Sequence, residues 1–557
     1  MYKLYLCLQY LLKRALAYFA MVGVMLCVFM MLVSVSVLNG FVEKIERAAK
    51  GLFGDVVVSS ASLGGMAYYD EFIGKVKREV PGVEGASPFV LTFGILRVPG
   101  TDYRRTVQVA GIRLPERAEV SDFEEGLFVQ EGVKQPTFDP PRERVLRRLE
   151  ADLRRTAGLL ERTLKAPEAG GKLPPEQLAQ AERIRNAMDY QELAIANFRS
   201  DQANRGDLDR LQELWKQADD AGDEAQVKYL DQRIDALKRR LILPPDRRTI
   251  LGLGIPGLTH RTPRGETIRT IGPGQQVVLS LIPLGRRMSY AEITPSTQSF
   301  TVIDDCSTDV SSIDSEIAYV PFETLQLLNN MSQEAAADDP NLIVERARCS
   351  QIHVKVRPEL SQGVKLAEVA RRVEGVWAEF SRAHPDAARS TVHVETWRER
   401  QSRLVNSIEA QRTLMVIILG MISTVAVVLI FVILYVIVVQ KTRDIGVLKA
   451  VGASSGGVAG IFLAYGAAIG LVGAVFGSIG GYYFVRNINP IHDWIGRASG
   501  FVVWSRETFM FEKIPNEVGW STVLRIAVAA VLAGILGALL PAVQAARKQP
   551  VEALRYE

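Results

Sequence analysis

Four stretches of the chain read as nearly unbroken apolar runs: Leu16–Leu38, Leu414–Val439, Val458–Val485 and Thr522–Val543, each about 22 to 28 residues long. At about 1.5 Å per helical residue, each is long enough to cross the roughly 30 Å hydrocarbon core of a bilayer. The first three carry no Asp, Glu, Lys or Arg, and the fourth holds only Arg525, near its start. A buried soluble helix rarely runs this long without charge. The pattern predicts one membrane helix near the N-terminus and three near the C-terminus. Small residues at Ser34-Val35-Ser36 leave open a cleaved signal peptide, but the apolar run is longer than a signal core, and an uncleaved anchor is expected.

Between the first and second runs, polar and apolar positions alternate as in a soluble domain. Val56–Ser59, Arg105–Ala110, Gln276–Leu281, Phe300–Ile303, Ile317–Val320, Gln351–Val356 and Thr391–Val394 read as strands, and Asp70–Val80 and Leu366–Phe380 as helices. Residues 141–243 differ. Leu146, Leu149, Leu153, Ala157, Leu160 and Leu164 step by three or four, as do Val227, Leu230, Ile234, Leu237 and Leu241. Residues 141–240 hold 20 Lys/Arg and 19 Asp/Glu, a dense but balanced charge. A helical hairpin or coiled-coil insertion with narrow seams is expected, broken at Gly170-Gly171 and near Gly206 and removable as a unit. It is either a surface ornament or an arm that docks a partner.

The expected fold is thus an α-helical membrane protein with four transmembrane helices (1+3) and a large α+β extracytoplasmic domain carrying the helical insertion. Its segments are 1–40 (N-terminal segment and first span), 41–140 and 244–410 (the α+β domain), 141–243 (the insertion) and 411–557 (the last three spans). Basic residues flank the spans at Lys13 and Arg14, at Lys441, Arg443 and Lys449, and at Arg547 and Lys548. The positive-inside bias then places both termini and residues 441–456 in the cytoplasm and residues 41–410 outside.

Net charge is only +4, which gives no case for nucleic-acid binding. No phosphate loop, His-Glu-x-x-His or paired Cys-x-x-Cys occurs, so no catalytic residue, metal or bound cofactor is expected. Gly452-Ala453-Ser454-Ser455-Gly456 matches a nucleophile elbow by letters alone, since all five histidines fall across the membrane from it. Cys306 and Cys349 share the outside domain, where a disulfide or two buried thiols are both open. Gly466, Gly470, Gly473, Gly477 and Gly481 recur at helical spacing and predict a close helix-packing face, within one chain or between chains.

Several ordered pieces resemble the permeases of ABC systems with an FtsX-like domain, more narrowly the inner-membrane subunits of lipoprotein-releasing complexes. They are Leu38-Asn39-Gly40-Phe41, Thr396-Trp397-Arg398-Glu399, Arg443–Ala453, and the tail from Pro541-Ala542 to Glu552-Ala553-Leu554-Arg555-Tyr556-Glu557. Residues 141–242 fall outside the resemblance, and Asp444 stands where Glu is usual. The resemblance implies a MacB-like periplasmic domain and a bacterial inner-membrane location. It implies a coupling helix in which Arg443, Asp444, Ile445, Gly446, Leu448, Lys449 and Gly452 meet a separate ATPase holding ATP and Mg. A second permease copy or paralogue, and a lipoprotein or other lipid-bearing substrate drawn from membrane lipid, are also implied. A periplasmic carrier would bind a hairpin at Pro283, Leu284, Gly285, Arg286 and Arg287. The alternative is a mechanotransmission scaffold whose insertion activates an envelope enzyme such as a cell-wall hydrolase.

Overall fold

The computed structural model describes residues 15–62, 64–165, 173–261, 267–283, 295–308, 311–335, 343–388, 391–499 and 514–549. The chain divides into two compact units. One joins residues 1–46 to 401–509 and 513–557; the other comprises residues 47–400 and 510–512.

The first unit is helical. Helix α1 (Ala15–Phe53) begins in it and continues into the second unit. Helices α8 (Ser402–Gln440), α9 (Thr442–Ala450), α10 (Ser455–Arg486), α11 (Ile488–Ser499) and α12 (Trp520–Arg547) complete it. Among the described residues, four helices are long and apolar enough to cross a membrane: α1, α8, α10 and α12. Their outward faces are aliphatic, as at Val22, Leu26, Val425, Leu471, Leu524 and Leu532. Their shared core gathers Ala20, Val24, Val28, Leu32, Ile430, Leu434, Ile469 and Ala538.

The second unit is built on one mixed sheet of nine strands: β1 (Val56–Ser60), β2 (Val83–Arg97), β3 (Arg104–Ile112), β4 (Arg248–Gly252), β5 (Gln276–Leu281), β6 (Ser296–Cys306), β7 (Ile317–Pro321), β8 (Gln351–Val356) and β9 (Val392–Thr396). The spatial order is β9-β1-β8-β2-β3-β7-β4-β6-β5. The long β2 also pairs with β5, Gly94 facing Leu281, so six strands close on themselves and β5 is not an open edge. Gly94 permits the closure, since a Cβ there would lie 2.5 Å from the Leu281 side chain. Strands β3 and β7, and β4 and β6, run parallel; the other pairs are antiparallel. Every strand expected from alternation lies in this sheet. The long β2 was not foreseen, because Gly85, Pro88 and Gly94 interrupt its pattern. Helices α2 (Tyr69–Glu79), α3 (Leu114–Val120) and α7 (Gly363–Ala383) accompany the sheet.

The insertion contains helices α4 (Arg142–Leu164), α5 (Pro175–Asp220) and α6 (Glu224–Lys238). Gly170-Gly171 lies outside the described residues. The break expected near Gly206 is absent: α5 runs through it, and the turn comes at Gly222, whose φ is +70°. Glycine lowers helix propensity by only about 1 kcal/mol, whereas a positive φ calls for it.

The insertion is also less separable than its ends suggested. Helix α4 and the first half of α5 pack Val145, Leu149, Ala194, Ile195 and Phe198 against Val129 and Ile242. Arg269 reaches Asp305 at 2.5 Å and Asp152 of α4 at 3.3 Å, and Gln191 of α5 donates to Asp152 at 3.1 Å. All three charged side chains are at most 9% exposed. Only the outer part, from about Gly206 to Leu237, stands clear of the sheet, with Ala218, Leu230 and Ile234 its buried residues and the Lys238 carbonyl accepting from Gln276 of β5 at 2.8 Å. Asp201 and Arg205 bind the backbone of Ile242 across its base.

Replacing residues 207–237 with a short Gly/Ser linker is therefore expected to leave expression and thermal stability near wild type. Removing 142–243 should lower the protein level sharply. Arg269→Ala, which strands the buried Asp305 carboxylate while Asp152 keeps Arg155 and Gln191, should cost about 3–5 kcal/mol in a thermal or denaturant melt.

Candidate functional site

The polar turn between α8 and α10 is a stiff element. Helix α9 closes with the N–H of Gly452 on the carbonyl of Lys449 and that of Ala453 on Leu448, both at 3.0 Å. This double bond pattern is the Schellman closure, and it needs the left-handed conformation that Gly452 adopts at φ +104°. Two residues on, Ser454 caps α10 by accepting from the N–H of Gly457 at 3.1 Å. Ile445 is buried with Val438, Val458 and Ala545. Lys449 donates to the carbonyls of Ala546 (2.6 Å) and Lys548 (2.8 Å), placing a cation on the C-terminal end of α12. Asp444 pairs with Lys441 at 2.5 Å.

The residues expected to meet a partner thus divide. Ile445 and Gly446 point inward, Lys449 is tied to α12, Asp444 and Leu448 are half-buried, and Arg443 and Gly452 are exposed. The outward face adds two residues not singled out from the sequence, Val447 (48% exposed) and Val451 (85%). Arg443, Val447 and Val451 are spaced by four, one stripe of a helix. Val447 and Val451 are thus the strongly exposed apolar positions of this turn.

The five glycines expected to form a packing face of α10 sit at close helix contacts within this chain. A Cβ on Gly466 would lie 2.5 Å from the carbonyl oxygen of Gly534 on α12, and one on Gly470 2.9 Å from that of Ala530. Gly473, Gly477 and Gly481 face α1 instead, with hypothetical Cβ contacts of 2.6 Å to Val24, 2.6 Å to the Met25 carbonyl and 2.9 Å to Leu32. One helix therefore uses one glycine stripe to touch two others. Between α1, α8 and α12 an open apolar crevice remains, lined by Val24, Cys27, Met31, Ser423, Ala529 and Ala533.

In the sheet unit, the end of α1 is fixed in a buried polar junction. Gly54 terminates the helix at φ +73°. Arg117 of α3, 1% exposed, donates to the carbonyls of Leu52 and Gly51, the latter at 3.1 Å, and to Nδ1 of His353 at 2.6 Å. Nε2 of His353 then carries the proton and donates to Gln351 at 3.0 Å. Burial, reinforced by the Arg117 charge, holds His353 well below its usual range, and burial pulls Arg117 down to about 10. Asp55 follows: its carboxylate accepts from Val356 N–H at 2.9 Å and Ser361 Oγ at 2.5 Å, and its carbonyl accepts from Trp397 N–H at 3.0 Å.

Of the expected carrier hairpin, Pro283 is half-buried at the end of β5, while Leu284, Gly285, Arg286 and Arg287 lie outside the described residues. Phe93, Ile95 and Ile282 beside it are exposed, at 59%, 46% and 51%. The disulfide left open between Cys306 and Cys349 is not formed. Both thiols are free and buried, Cys306 at the end of β6 and Cys349 in a separate two-stranded pairing with Met66. Among the described residues, no group of three or more His, Cys, Asp or Glu could hold a metal ion.

Comparison with known proteins bears on the helical unit most strongly. Residues 416–550 match the FtsX-like permease C-terminal domain. The lipoprotein-releasing system transmembrane protein LolC of Neisseria meningitidis is 24% identical over 365 residues, 66% of this chain and 78% of that protein. LolC of Xylella fastidiosa is 29% identical over 164 residues, 29% of this chain and 40% of that protein. LolE of Haemophilus influenzae is 27% identical over 163 residues, 29% and 39% of the two chains.

Two outcomes follow. Gly477→Leu should weaken the helical bundle, read as loss of monodisperse protein in detergent, while Leu471→Ile, on the exposed face, should match wild type. In the junction, His353 is neutral when folded, so its contribution is present above the unfolded histidine pKa of about 6.5 and is lost as pH falls through it. Asp304 acts oppositely. Burial and the adjacent Asp305 push it up to about 7, so its contribution is lost as pH rises through that value. Comparing His353→Gln with wild type isolates the histidine: the drop in melting temperature from pH 7.5 to 5 should be smaller in the variant.

Proposed function

We propose that this chain is the permease subunit of an ABC-type release complex, carrying motion from a separate ATPase, which holds ATP and Mg, to the sheet unit outside the membrane. The observation that carries the reading is the rigid α9 turn with Val447 and Val451 outward, inside a segment that matches an FtsX-like permease domain. A short helix clamped to three spanning helices transmits a push instead of absorbing it. The chain then performs no chemistry of its own. It sits in a bacterial inner membrane with both termini in the cytoplasm, beside a second permease copy or paralogue.

The substrate in this reading is a lipoprotein or another lipid-bearing molecule. The relatives' names support it. A periplasmic carrier would receive the cargo at the exposed face of Phe93, Ile95 and Ile282, where the chain leaves β5.

Reconstitution with the cognate ATPase and a labelled lipoprotein tests this reading. ATP-dependent release of the lipoprotein from proteoliposomes is expected, and ATP turnover without any release would refute the substrate assignment. Val451→Glu should reduce recovery of the ATPase with the permease by an order of magnitude. Val364→Glu, on the 80%-exposed position of α7, should leave recovery unchanged.

A further inference from the structure

We infer that α11 lies flat in the membrane–water interface, with bilayer lipid as its partner, at the membrane face opposite the α9 turn. The inference concerns a surface separate from the ATPase, substrate and carrier positions.

The level of the helix comes from the chain. Helix α10 starts beside the α9 turn and ends at Arg486, so its last residues lie at the opposite face. Aromatic side chains gather there: Tyr482 stacks on Trp520 with ring centroids 5.7 Å apart, Tyr483 is 61% exposed and Trp520 75%. Tyr and Trp concentrate where one end of the ring meets hydrocarbon and the other meets water. Helix α10 is interrupted at Asn487, whose side-chain amide donates back to the Tyr483 carbonyl at 2.8 Å, and α11 begins at the next residue.

Along α11, Ile488, Ile491, Trp494 and Ile495 recur at helical spacing, while Asn489 and His492 fall between them. Trp494 is 65% exposed and Ile495 38%. Continuing into hydrocarbon would carry the titratable His492 away from water. Standing out in water would leave indole and isoleucine bare. The interface satisfies both faces, the arrangement of an in-plane amphipathic helix. The polar side is held from within: Asn489 donates to the Ile514 carbonyl at 3.1 Å and accepts from the Ile514 N–H at 2.9 Å. Pro515 next to it rests on Gly40 of α1, where a Cβ would lie 2.8 Å from its own. By helical spacing, Trp494 and Ile495 lie on a different side of α11 from the anchored Asn489, and the exposed Tyr483 and Trp520 mark the level at which the helix starts.

The test uses the full chain in proteoliposomes, with Trp494→Phe as the conservative partner. The difference in emission between the two reports Trp494 alone. Lipids brominated near the carbonyl end of the acyl chain should quench most of that difference, lipids brominated near the chain terminus less, and aqueous iodide little. Strong quenching by iodide without quenching by lipid would place α11 in water and overturn the inference. Quenching by neither would mean that protein covers this face, and would overturn it equally.

Discussion

Everything in the helical unit depends on how closely α10 can approach its neighbours. Lipid tails are as apolar as the helices they surround, so burial alone gives spanning helices little reason to associate. Contact must come from backbone proximity. The stripe from Gly466 to Gly481 supplies it on one helix, first against Gly534 and Ala530 of α12 and then against Val24, Met25 and Leu32 of α1. Because α10 is held at both ends of its length, the turn that precedes it is held as well. Lys449 on the α12 carbonyls and Ile445 between Val438, Val458 and Ala545 complete the clamp. The exposed valines of α9 are therefore fixed to α8, α10 and α12.

A second constraint governs the sheet unit. The chain enters it at the end of α1 and leaves it toward α8 on neighbouring strands: β1 pairs with β9, Val56 opposite Thr396. Asp55 holds the entry and exit together through its backbone bonds to Val354 and Trp397. Arg117 meets the last carbonyls of α1, where a cation is favoured by the helix dipole. Arg117, His353 and Asp55 thus fix the last turn of α1 to the sheet. Buried polar groups of this kind tolerate little slack, since each lost bond leaves a desolvated donor or acceptor.

The spanning helices were legible from composition because membrane length and lack of charge leave few alternatives. The glycine stripe was legible as spacing, but its division between α1 and α12 was not, since spacing names a face and not its neighbours. The α9 residues were legible as a group. Lys449 reads as a basic flank and a coupling residue, and only the fold shows it capping α12; Val447 and Val451 escape notice because their signal is exposure, which periodicity reports weakly in nine residues. In the insertion, the helical pattern was plain, yet Arg269 and Asp305, which lock α4 to the sheet, lie far along the chain from Asp152. Gly206 misled because glycine in a helix is tolerated more readily than its reputation suggests, while Gly222 carries the positive φ.

The central claim is that α9 presents Val447 and Val451 to an ATP-hydrolysing subunit. A photo-crosslinking amino acid placed at position 451 in cells, with a matched probe at Leu471 on the lipid-facing side of α10, tests it most directly. The account predicts a single adduct from position 451, identified by mass spectrometry as an ABC ATPase, whose yield changes when ATP is depleted, and no such adduct from position 471. Absence of an ATPase adduct at 451 in a stably expressed protein, or an equal adduct from both positions, would contradict it.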